Sequence, residues 1–348
     1  VQARIVLYAP HEQLATRAAK AAFDRISMLD SIMSDYRPDS ELMQLSARAG
    51  GPPVPVSREL FQVLSHAQEL AHLSRGAFDV TMGPVVRLWR TARRTGALPT
   101  LAEREQALAR VGWRHLRLDP AAQTVQLLVP GMQLDLGGIA KGYAADEAIS
   151  TLRAHRVERA LVELGGDIVV SGPPPGEEGW QVSVANAEGA AHSLLLAHAA
   201  LSTSGDTEQF VEIGGQRYSH VVDPATGLGL GTRIAATVIA PDGITADALS
   251  TLLSVLGPER GQAFLAAHFP AANAYIRRVE LSILLESGSV RPLSGSRSSS
   301  PLPAWRCCAA DYWGRRRHGA ALTPGPNALR SRHRVRGASR EGSRRSRR

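Results

Sequence analysis

Apolar residues in the first 280 positions follow two spacings, which predict helices and strands in turn. Residues three or four apart predict amphipathic helices from Glu12 to Leu29, from Arg58 to Ser74 and from Leu101 to Val111. Short apolar runs bounded by Gly, Pro or Asp predict strands such as 4–8 and 234–240. The mixture predicts an α+β fold, with helices packed on mainly antiparallel or mixed sheets in a single domain, residues 1–280.

The pattern stops near residue 280. From 281 to 348, Ser, Arg, Pro and Gly dominate without periodicity, which predicts a low-complexity tail that is disordered or aberrant, as after a frameshift. This tail holds 15 of the 40 basic residues and 3 of the 32 acidic residues. The domain is therefore mildly acidic, and the net charge of +8 does not indicate a general nucleic-acid role. Cys307 and Cys308 both lie in the tail, which excludes a disulfide framework in the domain.

The segment Leu134–Asp146 combines a predicted strand, two glycines and the start of a predicted helix. Unpaired amides and the dipole at a helix start favour an anion, and Gly137 and Gly138 let a ligand approach the backbone closely. Asp135 could accept a hydrogen bond from such a ligand. Lys141, expected one to two turns into the helix, could neutralise a phosphate. The alternative is an ordinary strand–helix connection with a surface lysine; the residue order of a P-loop is absent.

A second predicted helix begins near Thr245, its candidate N-cap, and ends at Gly257. Asp247, Ser250 and Thr251 follow the i, i+3, i+4 spacing, so their oxygens share one helix face. Such oxygens suit Mg²⁺, which keeps waters for substrate phosphates. Alternatively, the carboxylate serves the helix dipole and the hydroxyls bond back to the helix.

Three further residues are open to two interpretations each. Tyr36 lies in a predicted loop and could stack on a planar ligand or cover the core. Asp79 lies between apolar neighbours and either serves a hydrogen-bonding task or caps the next helix. His220 precedes an Asp-Pro-x-x-Gly turn, and a histidine alone is more often structural than functional.

Together these segments resemble the ApbE-type FAD:protein FMN transferases over roughly residues 1–265. Any one segment alone is a weak signal, but seven in the family's order are a strong one. They are 33–42 (MSDYRPDSEL), 76–84 (GAFDVTMGP), 134–146 (LDLGGIAKGYAAD), 163–167 (ELGGD), 202–206 (STSGD), 218–227 (YSHVVDPATG) and 246–251 (ADALST).

The resemblance implies Mg²⁺-dependent transfer of FMN from FAD to a threonine of a target protein, with release of AMP. It implies acceptors in sodium-pumping or electron-transfer complexes (Nqr/Rnf type) and an enzyme outside the cytoplasm, in the periplasm, often as a membrane lipoprotein. Matching positions imply a metal held by Asp247, Thr251 and the carbonyl of Gly138, with Ser250 weaker or water-mediated because some members carry Asp there. They imply FAD contacts at Tyr36, Ala77, Phe78, Asp79, Asp135, Lys141 and Val221.

The incoming threonine must lose a proton, and His220 is the candidate base because its reference pKa is near neutral. The same site could instead hydrolyse FAD to FMN and AMP, or bind flavin without catalysis, and the tail could bind polyanions. The sequence has no apolar run of about 18 residues, so it predicts no membrane span. Because the chain starts at Val1, without the Met-Gly-Thr-like segment usual in the family, we expect a processed or truncated product whose export signal is not visible.

Overall fold

The computed structural model of the chain describes residues 2–185, 191–205, 210–231, 234–278 and 328–334. The prediction of a disordered or aberrant tail therefore lies outside the described residues, except at 328–334. Those seven residues form an antiparallel strand beside the first strand, where the sequence predicts none.

The described residues contain seven α-helices and one short 3₁₀ helix, Trp113–His115. None of these helices is long and apolar enough to span a bilayer. The α-helices are α1 (Glu12–Met33), α2 (Glu41–Ala47), α3 (Arg58–Leu73), α4 (Gly83–Thr95), α5 (Leu101–Leu108), α6 (Ala140–Ala154) and α7 (Gly243–His268).

Fourteen strands in the same residues form one large sheet and three small ones. They are β1 (Gln2–Tyr8), β2 (Val54–Pro55), β3 (Leu116–Asp119), β4 (Thr124–Leu127), β5 (Arg159–Leu164), β6 (Asp167–Val170), β7 (Trp180–Ala185), β8 (Ala191–Leu196), β9 (Ala199–Gly205), β10 (Phe210–Ile213), β11 (Gln216–Ser219), β12 (Ile234–Ala240), β13 (Asn273–Arg278) and β14 (Ala328–Arg334). The large sheet has the order β13-β12-β9-β6-β5-β1-β14, and the small sheets are β2-β4-β3, β7-β8 and β10-β11.

Every pairing between these strands is antiparallel. Helices α1, α6 and α7 share the main hydrophobic core with the large sheet, and the β7–β8 hairpin contributes to a second core. Strand β1 supplies both, because successive side chains of a strand point to opposite faces. Ala3, Ile5 and Leu7 lie in the first core, and Val6 and Tyr8 pack against the second. The α+β prediction is confirmed.

Of the predicted helix caps and ends at Ser40, Ser57, Thr245 and Gly257, one is wrong. Ser40 and Ser57 cap α2 and α3 as predicted, each accepting a backbone N–H bond of 3.2 Å. The predicted cap of α7 is wrong: Asp242 is the N-cap, and Thr245 donates its backbone N–H to that carboxylate at 2.9 Å. The predicted end at Gly257 is confirmed, since φ of 77° there interrupts α7 and a second helical segment follows.

Candidate active site

The connection into α6 is not the strand that the sequence predicts. Residues 134–136 lie outside any strand, because their backbone N–H groups bond to a loop and to a side chain of α2. The N–H of Asp135 donates to the carbonyl of Val80 at 2.8 Å, and the N–H of Leu134 donates to Ser46 Oγ at 3.2 Å. Helix α6 begins at Ala140, so Lys141 lies in its first turn rather than one to two turns inside.

Lys141 joins two buried carboxylates from different parts of the chain. Its Nζ lies 2.5 Å from Asp167 Oδ2 and 3.0 Å from Asp247 Oδ1. The other oxygen of Asp247 accepts the backbone N–H of Gly142 at 3.0 Å. The starts of α6 and α7 are therefore held together by the carboxylate that the sequence assigns to the metal.

Two serines extend this group. Ser202 Oγ donates to Asp167 Oδ1 at 2.6 Å and lies 3.0 Å from Ser250 Oγ. Ser250 Oγ also contacts the carbonyl of Asp247 at 2.9 Å, which is the bonding back to the helix that the alternative interpretation describes. We call Lys141, Asp167, Ser202, Asp247 and Ser250 the lysine cluster.

The charges in the lysine cluster shift one another's pKa values. Burial lowers the pKa of Lys141, but the charges of Asp247 and Asp167 outweigh burial and hold that pKa above its ordinary value. Burial and the charge of Asp247 raise the pKa of Asp167 to about 7, against the opposing effect of Lys141. The cluster therefore has two carboxylates for one ammonium, and Asp167 keeps its proton to a higher pH than an ordinary aspartate.

The backbones of α6 and α7 touch beside the lysine cluster. A Cβ added at Gly142 would overlap the carbonyl oxygen of Gly243, and one added at Gly243 would lie 2.5 Å from the carbonyl oxygen of Gly142. A similar contact lies nearby, since a Cβ at Gly138 would lie 2.7 Å from Thr251 Oγ1. Thr251 is thus brought to the glycine turn, as a shared metal site requires.

A second charged group lies where the chain enters the glycine turn. Arg90 on α4 places Nη2 2.5 Å from Asp35 Oδ2 and 3.1 Å from Asp135 Oδ2. Its guanidinium carbon lies 4.3 Å from the ring centroid of Tyr36. The residue Tyr36 is 76% exposed, so it does not cover the core. We call Asp35, Tyr36, Arg90 and Asp135 the arginine cluster.

The arginine cluster is joined to the glycine turn through one carboxylate. Asp135 Oδ1 accepts the N–H of Gly137 at 2.8 Å while its other oxygen bonds Arg90. Burial and the charge of Asp135 raise the pKa of Asp35 to about 6, against the opposing effect of Arg90. One guanidinium therefore contacts an exposed aromatic ring directly and is joined to the glycine turn through Asp135.

The carboxylate of Asp79 is occupied by the protein. Asp79 Oδ1 accepts from the N–H and the hydroxyl of Thr81 at 2.8 and 2.7 Å, and Oδ2 accepts the N–H of Trp113 at 3.0 Å. Burial raises the pKa of Asp79, against the effect of these bonds. The hydrogen-bonding interpretation holds, and a cap on α4 does not, because Met82 is the N-cap there. Ala77 and Phe78 pack against the main core.

His220 and Val221 lie just after β11, in a loop tied to α4. Val221 is buried, and its N–H donates to Ser219 Oγ at 3.0 Å. Trp89 Nε1 donates to the carbonyl of Gly227 at 2.8 Å, which fixes the far end of the loop. Trp89, which holds this loop, and Arg90, which contacts the Tyr36 ring, are therefore neighbours on helix α4.

The donors near the glycine turn fit a hard divalent cation. The described residues contain no group of three or more His, Cys, Asp or Glu side chains that could hold a metal. Asp247, the hydroxyl of Thr251 and the carbonyl of Gly138 are all oxygen donors, which suits Mg²⁺ with several waters retained. A further cation beside the two carboxylates of the lysine cluster would favour their ionised forms.

Four residues of the two clusters were not predicted as site residues from the sequence: Arg90, Asp35, Asp167 and Ser202. Arg90 has no local signal, because an arginine on an amphipathic helix is typical of a solvated face. Asp167 has a partial signal. Gly165 and Gly166 have φ of 59° and 95° and make the two-residue turn between β5 and β6, which starts β6 at the buried Asp167.

Comparisons with known proteins agree with this fold. The family model described as the ApbE family matches residues 1–276. The chain belongs to the ApbE family, and the family that the sequence predicts is confirmed.

Relatives and solved structures of the family match this chain over most of their length. A FAD:protein FMN transferase of Treponema pallidum is 36% identical over 290 residues, 78% of this chain and 80% of the relative. One of Klebsiella pneumoniae is 35% identical over 264 residues, 74% of this chain and 80% of the relative. The apo flavinyl transferase ApbE of Pseudomonas stutzeri superposes with a TM-score of 0.68 at 29% identity, covering 79% of this chain and 91% of that one. The ApbE protein of Thermotoga maritima gives a TM-score of 0.71 at 30% identity, covering 80% and 93%.

Proposed function

We propose that this chain is a FAD:protein FMN transferase that moves FMN from FAD to a threonine of an acceptor protein, with Mg²⁺ as its metal. Membership of the ApbE family supports flavin transfer to a protein as the class of reaction. The metal and the threonine are finer assignments, which we derive from the chemistry of the site.

The observation that carries the proposal is the meeting of α6 and α7. Lys141 from the first turn of α6 and Asp247 from the first turns of α7 are 3.0 Å apart, beside the glycine turn. An ammonium at the positive end of a helix dipole binds phosphates, and carboxylate and hydroxyl oxygens bind Mg²⁺. A site that combines both suits a diphosphate such as that of FAD.

Asp247, Thr251 and the carbonyl of Gly138 would hold the metal, with Ser250 contributing through water at most. Mg²⁺ supplies charge neutralisation to the phosphoryl group and the leaving group when bound. Among the residues of the chain, Lys141 would hold the diphosphate beside the glycine turn. Tyr36 and Asp135 orient the rest of the dinucleotide, with Ala77, Phe78, Asp79 and Val221 as further predicted contacts.

In the transfer step the threonine oxygen attacks the phosphorus on the riboflavin side of the FAD diphosphate. The bond from that phosphorus to the bridging oxygen breaks, AMP leaves with this oxygen, and a phosphoester to threonine forms. The threonine proton must pass to a base within hydrogen-bond range, and we assign this role to His220.

A His220→Ala variant tests this assignment. We expect transfer at saturating FAD to fall by about 10²- to 10⁴-fold, the range for a lost general base, while FAD affinity is retained. Single-turnover rates and flavin fluorescence titrations measure the two. Transfer at the wild-type rate would remove His220 from the mechanism.

The function itself is tested by incubating the chain with FAD, Mg²⁺ and a candidate acceptor subunit. We expect flavin fluorescence on the acceptor band and an added FMN mass on a threonine peptide, both absent with EDTA. Free FMN and AMP with an unlabelled acceptor would indicate FAD hydrolysis, and bound but intact FAD would indicate a non-catalytic flavin protein.

We infer that the acceptor is a subunit of a sodium-pumping or electron-transfer complex and that the enzyme acts outside the cytoplasm. The family resemblance supports both inferences. Co-expression of the chain, fused to an export signal or without one, with an exported acceptor tests them. Flavinylation only by the cytoplasmic form would overturn the assigned compartment.

A further inference from the structure

Arg90 of helix α4 has no role in the function proposed so far. We propose that Arg90 is a positioning residue for FAD, which holds the Tyr36 ring and the Asp135 carboxylate in their binding arrangement. The inference rests on the proposed function, because it assumes that Tyr36 and Asp135 contact FAD.

Arg90 holds its partners through two separate features of the guanidinium. A single nitrogen, Nη2, lies within 3.1 Å of the carboxylates of Asp35 and Asp135. The guanidinium carbon lies 4.3 Å from the Tyr36 centroid. Nε is buried without a hydrogen-bond partner among the described residues, so the side chain is fixed by Nη2 and the ring contact.

The ring contact matters because Tyr36 has little other support. At 76% exposure its ring could occupy many orientations in solvent. A cation over one face restricts these orientations and leaves the opposite face for a second planar group. Ordering a side chain before the ligand arrives raises affinity, because the conformational entropy is already lost. An isoalloxazine or adenine ring is the planar group that FAD would supply.

The carboxylate contact carries the same effect to the glycine turn. Asp135 and Asp35 share one guanidinium, so without Arg90 the two carboxylates would repel each other. Asp135 also accepts the N–H of Gly137, and its displacement would disturb the turn that faces the diphosphate. Arg90 therefore supports both ends of the predicted FAD site.

The residue before Arg90 makes α4 a firm base for this task. Trp89 is buried, bonds the carbonyl of Gly227 and packs against Tyr218 with ring centroids 5.1 Å apart. The helix thus cannot shift toward or away from Tyr36 without breaking a buried hydrogen bond.

Two substitutions separate the contacts, and a third serves as a control. Arg90→Met removes the charge and the plane, Arg90→Lys keeps a charge for the carboxylates but not the plane, and Arg94→Met alters an exposed arginine of the same helix. We expect the Kd for FAD to rise about tenfold in Arg90→Met and about threefold in Arg90→Lys, with Arg94→Met unchanged. The kcat at saturating FAD should stay within about threefold, because a positioning residue acts on binding.

A double-mutant cycle and an FAD-free measurement make the test decisive. On a Tyr36→Ala background, Arg90→Met should cost less affinity than in the wild type, because part of its target is gone. In ligand-free protein, Arg90→Met should shift the ¹³C-labelled Tyr36 ring resonance, identified by its loss in Tyr36→Phe. Equal costs on both backgrounds, or equal FAD affinity of Arg90→Met and Arg94→Met, would overturn the proposal.

These readouts also distinguish this proposal from the proposed function. Altered FAD affinity without FMN transfer in any variant would remove the function and leave the positioning role. Normal transfer with unaltered affinity in Arg90→Met would do the reverse. If the wild type bound no FAD, the function would fail, and the ligand-free Tyr36 resonance would decide whether Arg90 holds the ring.

Discussion

The lysine cluster and the arginine cluster share a plan but differ in depth. Each places one cationic side chain between two carboxylates, on either side of the same glycine turn. In the lysine cluster the carboxylates are 3–5% exposed, whereas Asp35 and Asp135 are each 14% exposed. The lysine cluster contains the hydroxyls of Ser202 and Ser250, whereas the arginine cluster contains the exposed ring of Tyr36. The same charge pattern thus lies beside the predicted metal ligands in one cluster and beside an exposed aromatic ring in the other.

The two cationic side chains also differ in how readily they can leave their carboxylate partners. An ammonium is a point charge on a flexible stem, and a guanidinium is a rigid plane that stacks on rings. Lys141 can turn from its carboxylates to an incoming diphosphate, whereas Arg90 acts by staying in place. The comparison therefore predicts different outcomes for matched substitutions in the two clusters.

The largest effect is expected from Asp247→Asn. Loss of the only carboxylate among the predicted metal ligands should lower Mg²⁺-dependent FMN transfer by more than about a hundredfold, the scale of a lost metal contribution of several kcal/mol. Acceptor flavinylation measures the rate. Glu259→Gln, on the exposed side of the same helix, is the control. Unchanged activity in Asp247→Asn would refute the metal assignment.

The next effect concerns stability. Lys141→Met leaves two buried carboxylates without their ammonium and should lower the free energy of unfolding by about 3 kcal/mol, more than Arg90→Met. Urea denaturation at pH 9 measures both, because the pKa of Asp167 is about 7 and the carboxyl must be ionised to count as an unpaired charge. Adding Asp167→Asn to Lys141→Met should restore part of the loss, because one unpaired charge is removed. Lys20→Met serves as the control, since its pair with Asp24 is exposed and contributes little.

A third prediction uses pH on the arginine cluster. The pKa of Asp35 is raised from 3.8 to about 6 in the folded protein, so folding takes up a proton between these pH values. The free energy of unfolding should fall as pH rises from about 4 to about 6, by up to roughly 3 kcal/mol relative to Asp35→Asn. Unfolding titrations across that range measure the difference.

The control for the pH experiment is Asp39→Asn. The hydrogen bond from Arg37 lowers the pKa of Asp39, which has the opposite sign to the shift at Asp35. Asp39→Asn should therefore keep the fall in stability, or make it slightly steeper, and should not abolish it. A flat difference between the wild type and Asp35→Asn would mean that the carboxylates of the arginine cluster do not interact as described.

The smallest effect is expected from Tyr36→Phe. The substitution keeps the ring that lies over Arg90, so the Kd for FAD should change by less than about twofold, whereas Tyr36→Ala should raise it about tenfold. Flavin fluorescence titration measures both values. A large loss in Tyr36→Phe would assign the role to the hydroxyl rather than to stacking.

Local chemistry made much of the fold predictable from the sequence. The caps at Ser40 and Ser57 and the helix end at Gly257 depend on neighbours within a few residues, and all three are confirmed. The predicted strand at Leu134 failed because its apolar pattern reflects burial, while its backbone bonds go to Ser46 and to the loop after Phe78.

The candidate site was predictable only where a motif carried it. Lys141 and Asp247 each belong to a motif from which a site residue was predicted, and their side chains are in contact although they are 106 positions apart. Arg90 and Asp167 act through partners distant in sequence, and charged side chains on a helix or after a turn look the same whether they bind a partner or face water. Their roles emerge only from the pairing of α4 with the Tyr36 loop and of β6 with α6.

The contact of Gly142 with Gly243 sets a limit on how this enzyme could be re-engineered. Main chain lies against main chain there, so no side chain is available to be traded for a larger or smaller one. Randomising positions around the acceptor site could therefore yield new target preferences, while both glycines would stay invariant among the survivors. The spacing between the start of α6 and the start of α7 is therefore a fixed dimension of the protein.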